Sequence, residues 1–245
     1  FAYEVGSFGE LYLNWGKGFH SNDVRGATIA FDPLSNYELE PVVLFSGQDG
    51  AEVGYRVERD DDLVLSLAYF WLQSDSELIF AGDSGGTEAS EGSERSGLEL
   101  AVFWELNSNW VLDLTGSIVD SKFVAVDAKS DHIPNAHGRV ISMGLTHAPV
   151  LGWNWSMRVR HFGDAALVED DSINYPSTTI INMGLSYKTD RWTAGVDLFN
   201  LADSEHYDIA YWYSSRLSSE VSPVEDIHFH PVNPRSIRVG LEYRF

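Results

Sequence analysis

Along this chain, stretches of alternating apolar and polar residues are joined by links that are strictly short, then long, then short again. Asp60–Asp62, Asn107–Asn109, Pro149–Gly152 and Thr189–Asp190 are tight turns. Gly18–Leu44, Ala81–Arg95, Lys122–Gly138, Asp164–Ser177 and Ala202–Arg235 run from about 14 to over 30 residues. The period-two runs between them predict about ten strands: Gly9–Lys17, Phe45–Arg59, Leu63–Phe80, Ser96–Leu106, Trp110–Ser121, Arg139–Ala148, Trp153–Gly163, Thr178–Lys188, Arg191–Leu201 and Ser236–Phe245. Strict parity of link length is the mark of an up-and-down antiparallel sheet with all its turns at one end and all its loops at the other. A soluble sandwich or propeller gives no reason for it. The Gly/Ser/Glu tract 82–95 reads as a flexible surface loop.

Side chains of an extended strand change face at every residue, so each run sorts its residues into two sets. In the last run Ile237, Val239, Leu241, Tyr243 and Phe245 point one way, and Arg238, Gly240, Glu242 and Arg244 the other. Leu63, Leu65, Leu67, Tyr69 and Trp71 share a face, as do Leu98, Leu100, Val102 and Trp104, and Trp153, Trp155, Met157 and Val159. Opposite them lie Glu99, Asp113, Arg158 and Arg160. One face suits lipid and the other water, which predicts an all-β, antiparallel transmembrane β-barrel. No run approaches the roughly 18 apolar residues of a spanning helix, and a slightly negative mean hydropathy is what strands half-facing water produce. Aromatic residues are plentiful (8 Trp, 11 Tyr, 13 Phe), as expected where rings sit at two headgroup levels.

A net charge of −21 argues against nucleic acid as a partner and suits loops that meet cations or Ca²⁺-bridged lipopolysaccharide. With no Cys there are no disulfides, thiolate metal sites or cysteine nucleophiles. Phe1-Ala2-Tyr3-Glu4 has no basic start, apolar stretch or initiator Met, so the expectation for an exported protein is that this chain is a truncated portion.

Several segments resemble one family, the TonB-dependent outer-membrane receptors: Leu11–Gly26 (LYLNWGKGFHSNDVRG), Phe80–Leu100 (FAGDSGGTEASEGSERSGLEL), Ile133–Leu145 (IPNAHGRVISMGL), Val196–Asp203 (VDLFNLAD), Tyr211–Leu217 (YWYSSRL) and His230–Phe245 (HPVNPRSIRVGLEYRF). The terminal Phe245, with Tyr243 two residues earlier, is similar to the closing residues of bacterial outer-membrane barrels. The resemblance implies TonB-energised uptake of a scarce, large solute: loops capture it, and a plug domain inside the barrel lets it through. Family barrels have about 22 strands behind a plug. Residues 1–245 therefore correspond to the C-terminal part of such a barrel, with the plug and its TonB-contacting segment absent. The implied partners are outer-membrane lipid and lipopolysaccharide, TonB through the missing plug, and a small-molecule or metal-chelate ligand, with a ferric siderophore the first expectation. No cofactor is implied.

The loops hold most of the candidate ligand contacts. His20, Asn22, Asp23 and Arg25 cluster in the first, and Tyr211, Arg216, Glu220 and Arg235 lie in the last. His228 and His230 are two apart, so an extended backbone aims both imidazoles the same way, a geometry for a metal or metal chelate. Against this, loop histidines and acids usually bond their own loop. Arg216 and Arg235 can fork onto a carboxylate or phosphate, or pin the loop to the barrel rim. Arg158 and Arg160, on the water-facing side, are expected to pair with carboxylates of neighbouring strands or of the plug. Two other classes are alternatives: a complete small barrel acting as a passive pore or adhesion module, and a rim-site hydrolase like the omptins. The second would use Asp23 with His20, Asp226 with His228, or Ser214 and Ser215 near His206 and Asp208, but no elbow motif surrounds these serines and the chain reads as a non-enzyme.

Overall fold

The computed structural model describes residues 1–7, 9–22, 28, 31, 38, 43–60, 62–76, 78–81, 86–89 and 91–245. In chain order the strands are β1 (Ala2–Val5), β2 (Gly9–Ser21), β3 (Phe45–Arg59), β4 (Leu63–Ser74), β5 (Leu78–Ala81), β6 (Gly86–Ala89), β7 (Ser93–Asn107), β8 (Trp110–Phe123), β9 (Arg139–His147), β10 (Gly152–Phe162), β11 (Ala165–Ala166), β12 (Asn174–Tyr175), β13 (Thr178–Lys188), β14 (Trp192–Phe199), β15 (Tyr207–Ser215), β16 (Val224–Pro231) and β17 (Ser236–Tyr243). Eleven form one sheet in the order β1-β2-β3-β4-β7-β8-β9-β10-β13-β14-β17, every neighbouring pair antiparallel. The sheet is open, with β1 and β17 as its edges. An odd number of alternating strands leaves β1 and β17 pointing the same way.

Three expectations needed correction. The short strand β1 was missed, being only four residues long. The run read as Leu63–Phe80 stops at Ser74, and Leu78–Ala81 instead pairs with Gly86–Ala89 in a hairpin within the tract expected to be an irregular loop. The last two long loops also carry pairings of their own, β11 with β12 and β15 with β16. All four tight turns stand where expected, with Asp60 and Gly152 in the left-handed conformation that reverses the chain (φ 46° and 98°).

Register carries the face assignment across the whole sheet. One hydrogen-bonding row runs Leu63, Trp104, Leu112, Leu145, Met157, Met183, Leu198, Ile237, apolar on eight successive strands. The row on the other face runs Glu10, Arg56, Ser66, Ala101, Thr115, Ser142, Arg160. Among the described residues nothing packs over the apolar face: Ile237, Val239 and Leu241 are 65 %, 77 % and 77 % exposed, and Trp153 is 60 % exposed. An uncovered apolar surface of this extent is the shape of a lipid-contacting wall.

The upper edge of that wall is drawn by charge. Lys17, Asp49, Gln73, Glu94 and Lys122 form one row on the apolar face, joined by Lys17–Asp49 at 3.0 Å and Lys122–Glu94 at 3.3 Å. Farther along the sheet the first polar positions are Arg139 on β9, His161 on β10 and Thr179 on β13. Thr179 lies on the row of Leu11, well below that of Lys17, so the apolar band crosses the strands obliquely. Oblique crossing is what strands tilted through a membrane require. From the turn at Leu63 to Gln73 the strand rises about 33 Å, or about 25 Å across the membrane at the usual tilt. Aromatic rings gather at the short-turn end, where Trp110 meets Trp155 and Trp153 meets Tyr187, each pair with centroids 5.1 Å apart.

The polar face is held by ion pairs that run across strands. Arg158 on β10 reaches over β9 to Asp113 on β8 (2.8 and 3.0 Å), and the position between them in the row is Gly144. A Cβ there would collide with both side chains, so glycine is what lets the bridge pass. Arg56 pairs with Glu10 at 2.6 Å and Arg238 with Asp197 at 2.9 Å.

At the loop end, Asn200 closes the neck of the longest connection. Its backbone N–H donates to Asn182 Oδ1 (2.9 Å), and its Nδ2 donates to the carbonyls of Ser204 and Asn233 (3.0 Å each). Its Oδ1 accepts the Ser204 N–H at 2.9 Å, and Asp203 beside it accepts from the backbone and guanidinium of Arg235 (3.3 and 3.1 Å). The buried Asn200 side chain thus ties the start of the loop to its end, and its backbone N–H ties both to β13. Its positive φ of 49° is a conformation that Asn tolerates better than most residues.

Two outcomes follow from this architecture. Met157→Arg, in the middle of the apolar band, should destabilise the bilayer-inserted protein by about 2–4 kcal/mol, whereas Ser156→Arg on the polar face should cost far less; urea unfolding in lipid vesicles reads both. Asn200→Ala leaves two neck carbonyls unpaired, and amide exchange at Leu201 and Ser204 should accelerate by about tenfold or more while β9 and β10 are unaffected. Unchanged exchange would remove Asn200 from this role.

Candidate ligand-recognition face

All the long connections emerge at one end of the sheet, and the three described in full are built into one body. His132 N–H donates to the Glu169 carbonyl (3.1 Å) and Asn135 N–H to Ala166 (2.8 Å), joining the loop after β8 to the loop after β10. His137 Nδ1 bonds the Gly163 carbonyl at 2.7 Å; a carbonyl only accepts, so this nitrogen carries the proton. The loop after β10 then meets the β15–β16 hairpin through a small core of Ala165, Leu167, Tyr175 and Ala210, flanked by Ile173, Tyr207, Trp212 and Ile227. Tyr175 donates its hydroxyl to the Tyr207 carbonyl at 2.7 Å. Burial, and next the charge of Asp208, push the Tyr175 phenol above its ordinary range, so it remains a donor.

The β15–β16 hairpin consequently has two sides. Ala210, Trp212 and Ile227 look into this core. Tyr211, Tyr213, Asp226, His228 and His230 occupy the alternate positions and share the other side. There the rings of Tyr213 and His228 stack with centroids 3.7 Å apart. His228 Nδ1 faces the Asp226 carbonyl (3.0 Å) and therefore bears the proton, which leaves Nε2 to accept the Ser215 hydroxyl at 2.6 Å. His230 lies 3.5 Å from Asp208. The two histidines do face the same way, as the spacing requires, but each is engaged within its own hairpin. Among the described residues no group of three or more His, Asp or Glu is arranged to hold a metal ion.

The remaining sequence candidates are dispersed. His20 is exposed near the end of β2. Asn22 is buried, donating its Nδ2 to the Val43 carbonyl at 2.7 Å, while Asp23 and Arg25 lie outside the described residues. Glu220 accepts the Leu217 N–H at 2.7 Å and closes the hairpin tip, beside an exposed Arg216. Arg235 is the rim pin described above. Arg158 is bridged to Asp113, and Arg160 stands exposed on the same polar face. Ser215 and His228 touch, but the Asp226 carboxylate turns to the Ile227 N–H (2.7 Å), so no relay of serine, histidine and acid is assembled.

Sequence reasoning missed Asn200, Tyr175 and the joining of the three loops. The signal for Asn200 was present in the segment VDLFNLAD. The signal for the hairpin lies in the aromatic and β-branched residues of Tyr207–Tyr213, inside a stretch read as a long link.

The described loops are also strongly acidic. The stretch 164–177 contains Asp164, Glu169, Asp170 and Asp171 and no Lys or Arg. The stretch 202–235 has six acids against Arg216 and Arg235, and one of those cations is spent on Asp203. Glu169, Asp170, Asp171, Glu205, Glu225 and Asp226 are exposed. Asp170 accepts from the Ser172 hydroxyl (2.6 Å) and backbone, which hold its carboxyl below the usual range and keep it charged.

Comparison with known proteins agrees with this geometry. A family model described as TonB-dependent receptor-like, β-barrel, matches residues 2–201. The chain is similar in structure to the ferric yersiniabactin uptake receptor FyuA from Yersinia pestis, with TM-score 0.73 and 17 % identity over 100 % of this chain and 36 % of that one. It is similar to the siderophore receptor PiuA from Acinetobacter baumannii, with TM-score 0.72 and 14 % identity over 99 % and 34 %. It is likewise similar to the copper transporter OprC, with TM-score 0.68 and 14 % identity over 98 % and 38 %. The chain thus spans about a third of the length of each of these structures. TonB-dependent receptors are outer-membrane β-barrels that bind TonB and small-molecule ligands such as siderophores, and they are transport receptors, not enzymes. With the family model running over most of its length, the chain belongs to the TonB-dependent receptor β-barrel family.

Proposed function

We propose that residues 1–245 are the C-terminal part of an outer-membrane receptor barrel that imports a scarce solute with energy from TonB. The apolar face lies against lipid, the polar face lines the lumen, and lipopolysaccharide surrounds the upper polar row. The solute is a ferric siderophore or another metal chelate, captured at the loop end. The observation that carries this reading is the uninterrupted apolar band crossing eleven antiparallel strands, with every long loop at one end of it. A plug domain, outside this chain, would fill the lumen and contact TonB.

Strand parity favours this reading over a complete small barrel. Because β1 and β17 point the same way, closing them on each other would need a parallel seam. Further antiparallel strands would instead satisfy both edges, which neither lipid nor water leaves unpaired without cost.

Deleting the gene should abolish growth on one ferric chelate, or on one other metal chelate, supplied as sole source of its metal, and restoring it should return growth only in a strain with functional TonB. Normal growth of the deletion strain on every metal source, at limiting supply, would contradict the assignment.

A further inference from the structure

On the polar face of the sheet Arg56, Arg158 and Arg238 each bind a carboxylate of another strand. The exposed guanidinium of Arg160 binds none among the described residues. Register explains the difference. Arg160 lies directly opposite Ser142 on β9 and Ile180 on β13, with Val140, Gly144, Thr178 and Asn182 at the diagonal positions, and none of these is acidic. Asp113, two strands away, has both oxygens on Arg158 (2.8 and 3.0 Å). Asp164, the next acid along the chain, lies beyond the end of β10 and makes no ion pair with Arg160. The polar groups beside Arg160 have moreover spent acceptors and kept donors. Asn182 Oδ1 takes the Asn200 backbone N–H (2.9 Å), and since only the oxygen of an amide accepts, its two Nδ2 hydrogens are left to donate. Ser142 Oγ accepts from Arg158 Nη1 at 3.3 Å, which leaves its own O–H to donate. Diagonal positions about 7–8 Å apart are within reach of a side chain as long as arginine. A patch of donors around an unpaired guanidinium has one complementary class of partner, an oxyanion.

We propose that Arg160, with Asn182 and Ser142 beside it, grips a carboxylate or equivalent oxyanion carried by the solute as it enters the lumen. The inference rests on the reading of this sheet as the wall of an uptake barrel, and it names what that wall recognises. His161, next in the chain, is the first polar position on the apolar face of β10, so Arg160 stands where the wall leaves lipid at the loop end. The other exposed cations of this end lie elsewhere: Arg139 on the apolar face, Lys129 and Arg216 on loops. The acidic loops above do not favour an anion, so the grip is one of contact. Exposed carboxylates are screened over about 10 Å at 0.1 M salt, whereas forked N–H···O bonds act at about 2.7–2.9 Å. A solute without such a group would forgo these contacts.

Phenylglyoxal, which modifies arginine side chains, reads the site with malonate as the probe. The full-length protein in a neutral detergent is treated with and without malonate, chloride holding the ionic strength equal, and modification of Arg160 and of the exposed loop residue Arg216 is followed by peptide mass spectrometry. Arg160 should react in chloride, malonate should slow its reaction about threefold or more, and Arg216 should react equally in both. Asn182→Asp keeps an oxygen for the Asn200 N–H but replaces the two donors with negative charge, and should abolish the protection. Ser142→Ala should weaken it. An Arg160 that reacts at one rate in both salts overturns the proposal, as does protection that persists in Asn182→Asp. So does an Arg160 that is unreactive from the outset, which would put a carboxylate of the lumen-filling domain on it in place of the solute. The measurement needs no transport, so failure of the anion site and failure of the receptor reading, judged by growth, are told apart.

Discussion

Hydrocarbon offers no hydrogen-bond partner to a peptide group, and that constraint underlies everything else in this molecule. A strand crossing lipid must pair its backbone on both sides, so the eleven strands form one uninterrupted antiparallel ladder. Once the ladder is continuous, residue parity alone decides which side chains meet lipid and which meet water. The row from Leu63 to Ile237 and the row from Glu10 to Arg160 are two readings of the same register. A slip of one residue in β8 or β10 would put Asp113 or Arg158 on the apolar side, so the ladder also guards the register.

The wall in turn fixes where the elaborated structure stands. Short turns occupy one end, and the long connections are at the other. There the chain builds a second, water-soluble layer with its own small core around Tyr175 and Ala210, anchored to the barrel by Asn200 and by the Asp203–Arg235 pair. A hairpin anchored at its neck and packed on a neighbouring loop presents its outer side in a defined orientation. That is how the aromatic and acidic side chains of β15 and β16 become a surface instead of a set of wandering residues.

Much of this was legible from residue order. Where strands are long and one face is apolar through the middle of the strand, as in β4, β7, β10 and β17, the period-two signal is repeated often enough to be unambiguous. It fails where repetition is short: β1 offers only four residues, and Leu78–Ala81 is a short unbroken apolar run that follows β4 although the chain has already left the sheet. Link length could not reveal pairing inside a link, so β15 and β16 read as loop despite their aromatic content. The candidate site was legible as a region and not as a set of contacts. His228 and His230 do face one way, but Ser215 and Asp208 occupy them, and no spacing rule foretells which neighbour a loop brings near. Arg235 and Glu220 hold their own loop together, the ordinary fate of a charged loop residue.

The central claim is that the Ile237, Val239, Leu241 side of β17 touches lipid while Arg238, Gly240 and Glu242 do not. Nitroxide side chains placed one at a time at positions 236 to 243 of the protein in lipid bilayers test it directly, through collision with oxygen, which concentrates in hydrocarbon, and with a water-soluble nickel chelate. The account predicts strict alternation, with odd positions oxygen-accessible and even positions not. Equal access of the nickel chelate to both sets, or protection of the odd positions from both reagents as in a dry protein core, would contradict it.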